Sequence, residues 1–243
     1  MTVPLVDGTG SVALDAMVPE EITYQEQAIG GARLEERLPM LILLHGKFGR
    51  PEYISAPFAA LHTPARVIAL RGVPLGNGYV WWDQHDKTTD PRTFSAAANE
   101  ASRRVDAFVR RLVQQKPTLG KPIFVGFSQG AMLTYAVTVR DPDLVGAAFP
   151  LSGMLPVGLE PATWPAGKSR PRLHAFHGLA DPVVDPGLDR ASVAVLQALG
   201  LPATLTELPG LQHALGPIEM GMALPEIDAA LAHEGARVPA VPH

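Results

Sequence analysis

A serine stands between two glycines in Gly126-Phe-Ser-Gln-Gly130, with an apolar run, Lys121-Pro-Ile-Phe-Val125, before it and a helix-forming run, Ala131-Met-Leu-Thr-Tyr-Ala-Val137, after it. This spacing is what a sharp strand-to-helix turn requires. Glycine two positions before and two after the serine lets the backbone bend without a side-chain clash, and the turn pushes the Ser128 hydroxyl into the open at a helix N-terminus. There the helix dipole and the unpaired N–H groups favour developing negative charge. A strand feeding such a turn belongs to a sheet whose neighbours are also parallel strands. That narrows the fold more than any other segment of the chain.

The rest of the sequence agrees with such a sheet. From about residue 39 onward apolar runs alternate with longer amphipathic segments, the pattern of a doubly wound, mostly parallel sheet flanked by crossover helices. Predicted strands are Met40–Leu44, Arg66–Leu70, Ile123–Val125, Gly146–Leu151, Leu173–Phe176 and Ala203–Leu208. Predicted helices span Tyr53–His62, Phe94–Gln114, Gln129–Val139, Gly187–Leu199 and Ile218–His233. Thr93 or Ser95 is expected to cap the second helix, and Gly200 falls where a C-terminal glycine belongs. Glu21-Ile-Thr-Tyr-Gln-Glu26 alternates like an edge strand, which makes residues 1–38 an N-terminal extension with antiparallel strands. Residues 39–236 then form the α/β catalytic domain, and residues 237–243 a tail.

Composition removes several function classes. With 243 residues and 47% hydrophobic content, one large core is expected. The formal net charge is −4 and the arginines are scattered, so no nucleic-acid footprint is expected. No stretch has the length of a membrane span, and the first residues lack a basic segment followed by an apolar run, so a cytoplasmic protein is expected. There is no cysteine, which excludes disulfides and thiolate chemistry. The sequence does not fix the oligomeric state, although a homodimer is compatible with it.

A serine hydroxyl is a weak nucleophile until a base takes its proton. In sheets of this type the partners follow in the order serine, carboxylate, histidine. His45, His62 and His85 precede Ser128; His174 and His177 precede the best acid; His233 lies near a helix end and His243 is terminal. His213 remains, between the last predicted strand and the last helix, where open α/β sheets build their sites. Among the intervening carboxylates, Asp181 follows the strand Leu173–Phe176 through a short turn and sits at another strand's carboxyl end. It would fix the imidazole tautomer and stabilise the imidazolium. Asp185 competes with it but is better placed to cap a helix. The donors for an oxyanion would be the backbone amides of Gln129, directly after the serine, and Lys47, in the loop Leu44-His-Gly-Lys47. His45 is read as a residue that orders this loop.

Several segments coincide here: Leu43-Leu-His-Gly46, Trp81-Trp-Asp83, Gly126-Phe-Ser-Gln-Gly-Ala131, Leu151-Ser-Gly-Met-Leu-Pro156, His177-Gly-Leu-Ala-Asp-Pro-Val-Val184, and Gly210-Leu-Gln-His213 followed by Glu219-Met220. In this order, from about residue 40 to 220, the chain resembles the phospholipase/carboxylesterase family of α/β-hydrolases, which includes acyl-protein thioesterases and small bacterial carboxylesterases. The resemblance implies Ser128, Asp181 and His213 as the triad, and the Lys47 and Gln129 amides as the oxyanion hole. It also implies acyl transfer to serine from a small-molecule ester or thioester, then hydrolysis of the acyl-enzyme, without metal or cofactor.

The chain departs from many relatives in the loop Lys47-Phe-Gly-Arg-Pro51, which those relatives make richer in glycine. Lys47 and Arg50 could meet an anionic group of a substrate, although solvated charges at a loop tip are the commoner outcome. Trp81, Trp82, Met154 and Leu155 could form an apolar wall for a short or medium acyl chain; ordinary core packing is the alternative for either tryptophan. A lactone or dienelactone opener would share the fold but usually carries a cysteine nucleophile. A non-catalytic binding module often loses a triad member. For metal-assisted hydrolysis, His174 and His177 lack a carboxylate or histidine partner at a ligand spacing.

Overall fold

The computed structural model describes residues 10–11, 22–82 and 90–237. Its strands are β1 (Gly10–Ser11), β2 (Thr23–Ile29), β3 (Leu38–Leu44), β4 (Ala65–Arg71), β5 (Val73–Leu75), β6 (Gly78–Val80), β7 (Thr118–Phe127), β8 (Ala147–Leu151), β9 (Arg172–Gly178) and β10 (Ala203–Leu208). The helices are α1 (Pro51–Ser55), α2 (Pro91–Gln115), α3 (Gln129–Arg140), α4 (Pro186–Ala198) and α5 (Pro217–Gly235). Eight strands form one sheet in the order β1-β2-β4-β3-β7-β8-β9-β10, parallel from β4 to β10 and antiparallel at β1 and β2; β5 and β6 form a separate hairpin. This is the α/β-hydrolase arrangement.

The sheet is covered on both faces, which explains the uninterrupted apolar runs of its central strands. Met40, Ile42 and Leu44 of β3 join the core beneath α2, α3 and α4, whereas Leu41 and Leu43 join the core beneath α1 and α5. The order of strands also fixes where a site can form. After β3 the chain adds β4 on one side and then crosses to place β7 on the other, so the loops leaving β3 and β7 diverge and leave a crevice at their carboxyl ends.

Three local expectations need correction. The segment Tyr53–His62 is not one helix: α1 ends at Ser55 and a 3-10 turn covers Ala56–Ala60, because Pro57 has no N–H to give to an α-helical bond. The cap of α2 is Asp90, ahead of both Thr93 and Ser95; its carboxylate accepts from the Arg92 amide at 2.8 Å, and Pro91 occupies the first helical position. The strand near residues 21–26 runs over Thr23–Ile29 and is not the sheet edge, since β1 pairs outside it and β4 inside it. A fully buried ion pair of Arg66 on β4 with Glu26 on β2, joined by Lys116 at 2.7 Å, ties this N-terminal strand to the parallel sheet. Gly200 follows α4 at φ +80°, as expected, and Asp185 caps α4 by accepting from the Gly187 amide at 2.8 Å.

Candidate active site

The turn after β7 has the strain its sequence requires. Ser128 sits at φ 56°, a left-handed conformation costly for a residue with a side chain. The two glycines make it possible. A Cβ on Gly126 would overlap the Gly130 carbonyl, and one on Gly130 would overlap the Leu44 carbonyl at the end of β3. The Ser128 amide donates to the Leu151 carbonyl at 3.0 Å, and its own carbonyl accepts the Met132 amide at 3.0 Å, so the turn is fastened to β8 and to the first turn of α3.

His213, in the loop between β10 and α5, has its Nε2 2.9 Å from Ser128 Oγ and its Nδ1 2.7 Å from Asp181 Oδ2. Asp181 Oδ1 accepts from the Val183 and Val184 amides at 2.8 and 3.0 Å, so both carboxylate oxygens are engaged although the side chain is fully buried. Burial raises the proton affinity of Asp181, yet the hydrogen bonds from Val184, His213 and Val183 together hold it below the ordinary carboxylate range. The carboxylate therefore stays charged beside the imidazole. The Phe127 ring lies tilted against His213 with centroids 4.9 Å apart and limits how far the imidazole can swing.

The loop after β3 approaches the same point. A Cβ on Gly46 would come within 2.9 Å of the Phe127 ring and 3.2 Å of the Ser128 Cβ, so glycine is what lets the loop pass this close to the serine. Phe48 takes φ 58°, the Gly49 amide donates to the Gly46 carbonyl at 2.9 Å, and the Tyr79 amide of β6 donates to the Gly49 carbonyl at 3.1 Å. Arg50, which sequence alone left as a possible anion contact, donates from Nη2 to the Asn77 carbonyl at 2.6 Å and braces the loop against the hairpin. Lys47 Nζ lies 5.2 Å above the Phe48 ring. His45 has the ordering role expected of it: it is buried, donates from Nδ1 to the Gly46 carbonyl at 2.7 Å, and accepts at Nε2 from the Gly72 amide at 3.1 Å. Burial depresses it to about 4, which keeps it neutral and fixes that tautomer.

The side chain of Gln129 was not read from sequence, yet it organises the neighbouring segment. Its Oε1 accepts from the Trp81 amide at 3.2 Å and its Nε2 donates to the Trp82 carbonyl at 3.1 Å. A side-chain amide carries both groups that one extended peptide presents, which accounts for glutamine at this place. Trp81 and Trp82 are 4% and 6% exposed. Trp81 stacks on His45 at 4.8 Å and donates from Nε1 to the His45 carbonyl at 2.7 Å, while Trp82 meets the Phe94 ring edge-on at 5.6 Å. Leu155 is 7% exposed and Met154 is partly buried against the same core. Asp83 of the expected Trp-Trp-Asp segment lies outside the described residues.

Sequence spacing offered His177 no carboxylate as a fellow metal ligand, but the fold gives it two carboxylate neighbours. The fold sets it 2.7 Å from Asp189 and 3.3 Å from Asp181. Among the described residues, no cluster of three or more His, Asp or Glu has an arrangement able to hold a metal ion, and no helix is long and apolar enough to cross a membrane.

Known proteins share this architecture. Esterase YpfH of Escherichia coli K12 is 28% identical over 202 residues, covering 76% of this chain and 80% of that protein. The crystal structure of esterase PE8 superposes with a TM-score of 0.75 at 24% identity, over 86% of this chain and 99% of that one. A Bacillus cereus carboxylesterase superposes with a TM-score of 0.70 at 18% identity, over 89% and 96% of the two chains. Residues 34–231 match the family model described as phospholipase/carboxylesterase. With the nucleophile-type turn, the crevice and this match in agreement, the chain belongs to the phospholipase/carboxylesterase family of ester hydrolases.

Proposed function

We propose that the chain cleaves carboxylic esters through an acyl-enzyme on Ser128, with His213 as the base and Asp181 as its partner. The observation that carries this reading is the unbroken series Ser128 Oγ, His213, Asp181 at 2.9 and 2.7 Å. In the first half-reaction Ser128 Oγ attacks the ester carbonyl carbon as His213 Nε2 takes its proton. The imidazolium, stabilised by Asp181, then gives that proton to the departing alcohol oxygen. In the second half-reaction His213 takes a proton from water, the hydroxide oxygen attacks the acyl carbon, and the proton returns to Ser128 Oγ as the carboxylic acid leaves.

Negative charge on the substrate oxygen would be met by the amides of Gln129 and Lys47. Gln129 opens α3, where first-turn N–H groups have no intrahelical acceptor. Of the four apolar residues expected to shape the acyl site, Trp81, Trp82 and Leu155 are buried and Met154 is partly buried against the same core. A thioester would follow the same path with a thiol as the leaving group. The test is turnover of matched p-nitrophenyl esters and acyl thioesters, from acetyl to palmitoyl, by the protein and its Ser128→Ala variant. Activity that disappears with the hydroxyl supports the reading and its chain-length optimum measures the acyl site; equal activity in both proteins refutes it.

A further inference from the structure

A second imidazole lies directly behind Asp181. His177 is the penultimate residue of β9, and its side chain is fully buried. Its Nδ1 is 2.7 Å from Asp189 Oδ2, and its Nε2 is 3.1 Å from the Val184 carbonyl oxygen and 3.3 Å from Asp181 Oδ2. That is the same carboxylate oxygen that faces His213. A carbonyl oxygen can only accept, so His177 Nε2 carries a hydrogen and donates it to Val184, with Asp181 Oδ2 in charge contact beside it. On the far side, Tyr135 of α3 donates its hydroxyl to Asp189 Oδ1. Asp189 lies in the first turn of α4, and burial raises its proton affinity despite the hydrogen bonds from His177 and Tyr135.

These contacts form a closed circuit. They run from Ser128 through His213, Asp181, His177 and Asp189 to Tyr135, which stands two turns along the helix that Ser128 begins. We propose that His177 is a positioning residue for the reaction: its Nε2–H, fixed from behind by Asp189 and Tyr135, holds the Val184 carbonyl and with it the turn at residues 181–184 that aims Asp181 Oδ2 at His213. The inference rests on the triad reading of Ser128, His213 and Asp181 above. A fully buried carboxylate is costly unless its oxygens are satisfied, and Oδ1 is already taken by two amides. Without His177 the turn at residues 181–184 would lose its anchor and Oδ2 its neighbouring imidazole, and Asp181 would hold the His213 proton more tightly.

The charges around His177 support this role. Burial pulls its proton affinity down, but the hydrogen bond and charge of Asp189, the Val184 carbonyl and the charge of Asp181 outweigh it and leave His177 raised. From α5, Glu219 also faces this cluster; burial pushes it up to about 8, so it is uncharged at neutral pH. Tyr135 is held well above its ordinary range, first by burial and then by Asp189, and stays a donor. Farther off, Glu207 on β10 is paired with Arg190 at 2.5 Å and acts on Asp189 only through space.

The experiment compares His177→Phe and His177→Gln in the full chain, with turnover expressed per Ser128 titrated by a fluorophosphonate. Phenylalanine keeps the shape without the donor, whereas the glutamine amide can place an N–H near the lost Nε2. H177F should lower kcat about 10- to 100-fold, the scale of a misaligned catalytic group, with KM within about twofold. It should also move the acid limb of kcat/KM to higher pH, and H177Q should recover part of both. An unchanged kcat per titrated site together with an unchanged acid limb in H177F overturns the inference, as does H177Q performing no better than H177F. If neither variant folds, nitrogen-15 NMR of the intact protein decides: His177 Nε2 should remain protonated from pH 5 to 9, and loss of that proton within the range overturns the proposal. Turnover surviving in Ser128→Ala would defeat the triad reading itself; with that variant inactive, an unaltered H177F defeats the His177 inference alone.

Discussion

The Ser128 side and the His213 side of the crevice are held by different forces. Around Ser128 the backbone sets the geometry: a left-handed serine, and glycines whose missing Cβ atoms leave room for the carbonyls of Leu44 and Gly130. Around His213 the geometry depends on buried ionisable side chains: His177 near the end of β9, Asp181 in the turn after it, Asp189 in the first turn of α4 and Glu219 in the first turn of α5. The first side can be broken by adding a methyl group and is indifferent to pH. The second tolerates changes of shape better than changes of protonation.

Substitutions can sharpen this contrast. The largest effect is expected from Ser128→Ala, which should cut ester turnover by about 10⁴-fold or more while the far-ultraviolet circular dichroism stays native. Asp181→Asn should follow with a loss of about 10²- to 10⁴-fold, since the imidazole loses its charged partner but not its neighbours. Gly130→Ala drives a Cβ into the Leu44 carbonyl, and urea unfolding should show a loss of about 3 kcal/mol or more, equal at every pH. On the charged side, Glu219→Gln should act through pH. Both Glu219 oxygens and the adjacent Ser152 hydroxyl lack a partner of good geometry, and the carboxyl is held up to about 8 against an ordinary value of 4.5. Between those values the folded chain binds more protons than the unfolded one. Its contribution to stability is therefore full below about pH 4.5 and is lost as pH rises to about 8, at no more than about 1.4 kcal/mol per unit. E219Q should flatten that slope in urea titrations from pH 5 to 8, and an unchanged slope would show that Glu219 does not titrate there. The smallest effect belongs to Gly221→Ala in α5, where a Cβ meets nothing within 4 Å; it should stabilise by about 0.5–1 kcal/mol.

The same contrast governs what the sequence disclosed. The elbow was legible because its constraint is local: two glycines, a serine, and apolar runs long enough to identify a strand buried on both faces. Asp181 and His213 could be singled out because chain order and strand ends restrict where partners can stand. The His177 cluster was not legible, because Tyr135 and Asp189 meet 54 residues apart and no spacing along the chain announces that contact. The latch from Gln129 to Trp81 and Trp82 spans 48 and 47 residues and was hidden for the same reason. The antiparallel pairing of β2 with β4 is equally non-local. By contrast, Pro57 and the Asp90-Pro91 cap were signals present in the sequence, and local turn chemistry prevailed over the apolar period used to set those helix bounds.

The most direct measurement is a peptide map of the protein after reaction with a fluorophosphonate, taken alongside its residual ester turnover. One phosphonyl group on Ser128, with turnover falling in proportion to labelling and no labelling in His213→Ala on the same timescale, is the predicted result. A label on another residue, or full turnover with Ser128 modified, would contradict the serine mechanism.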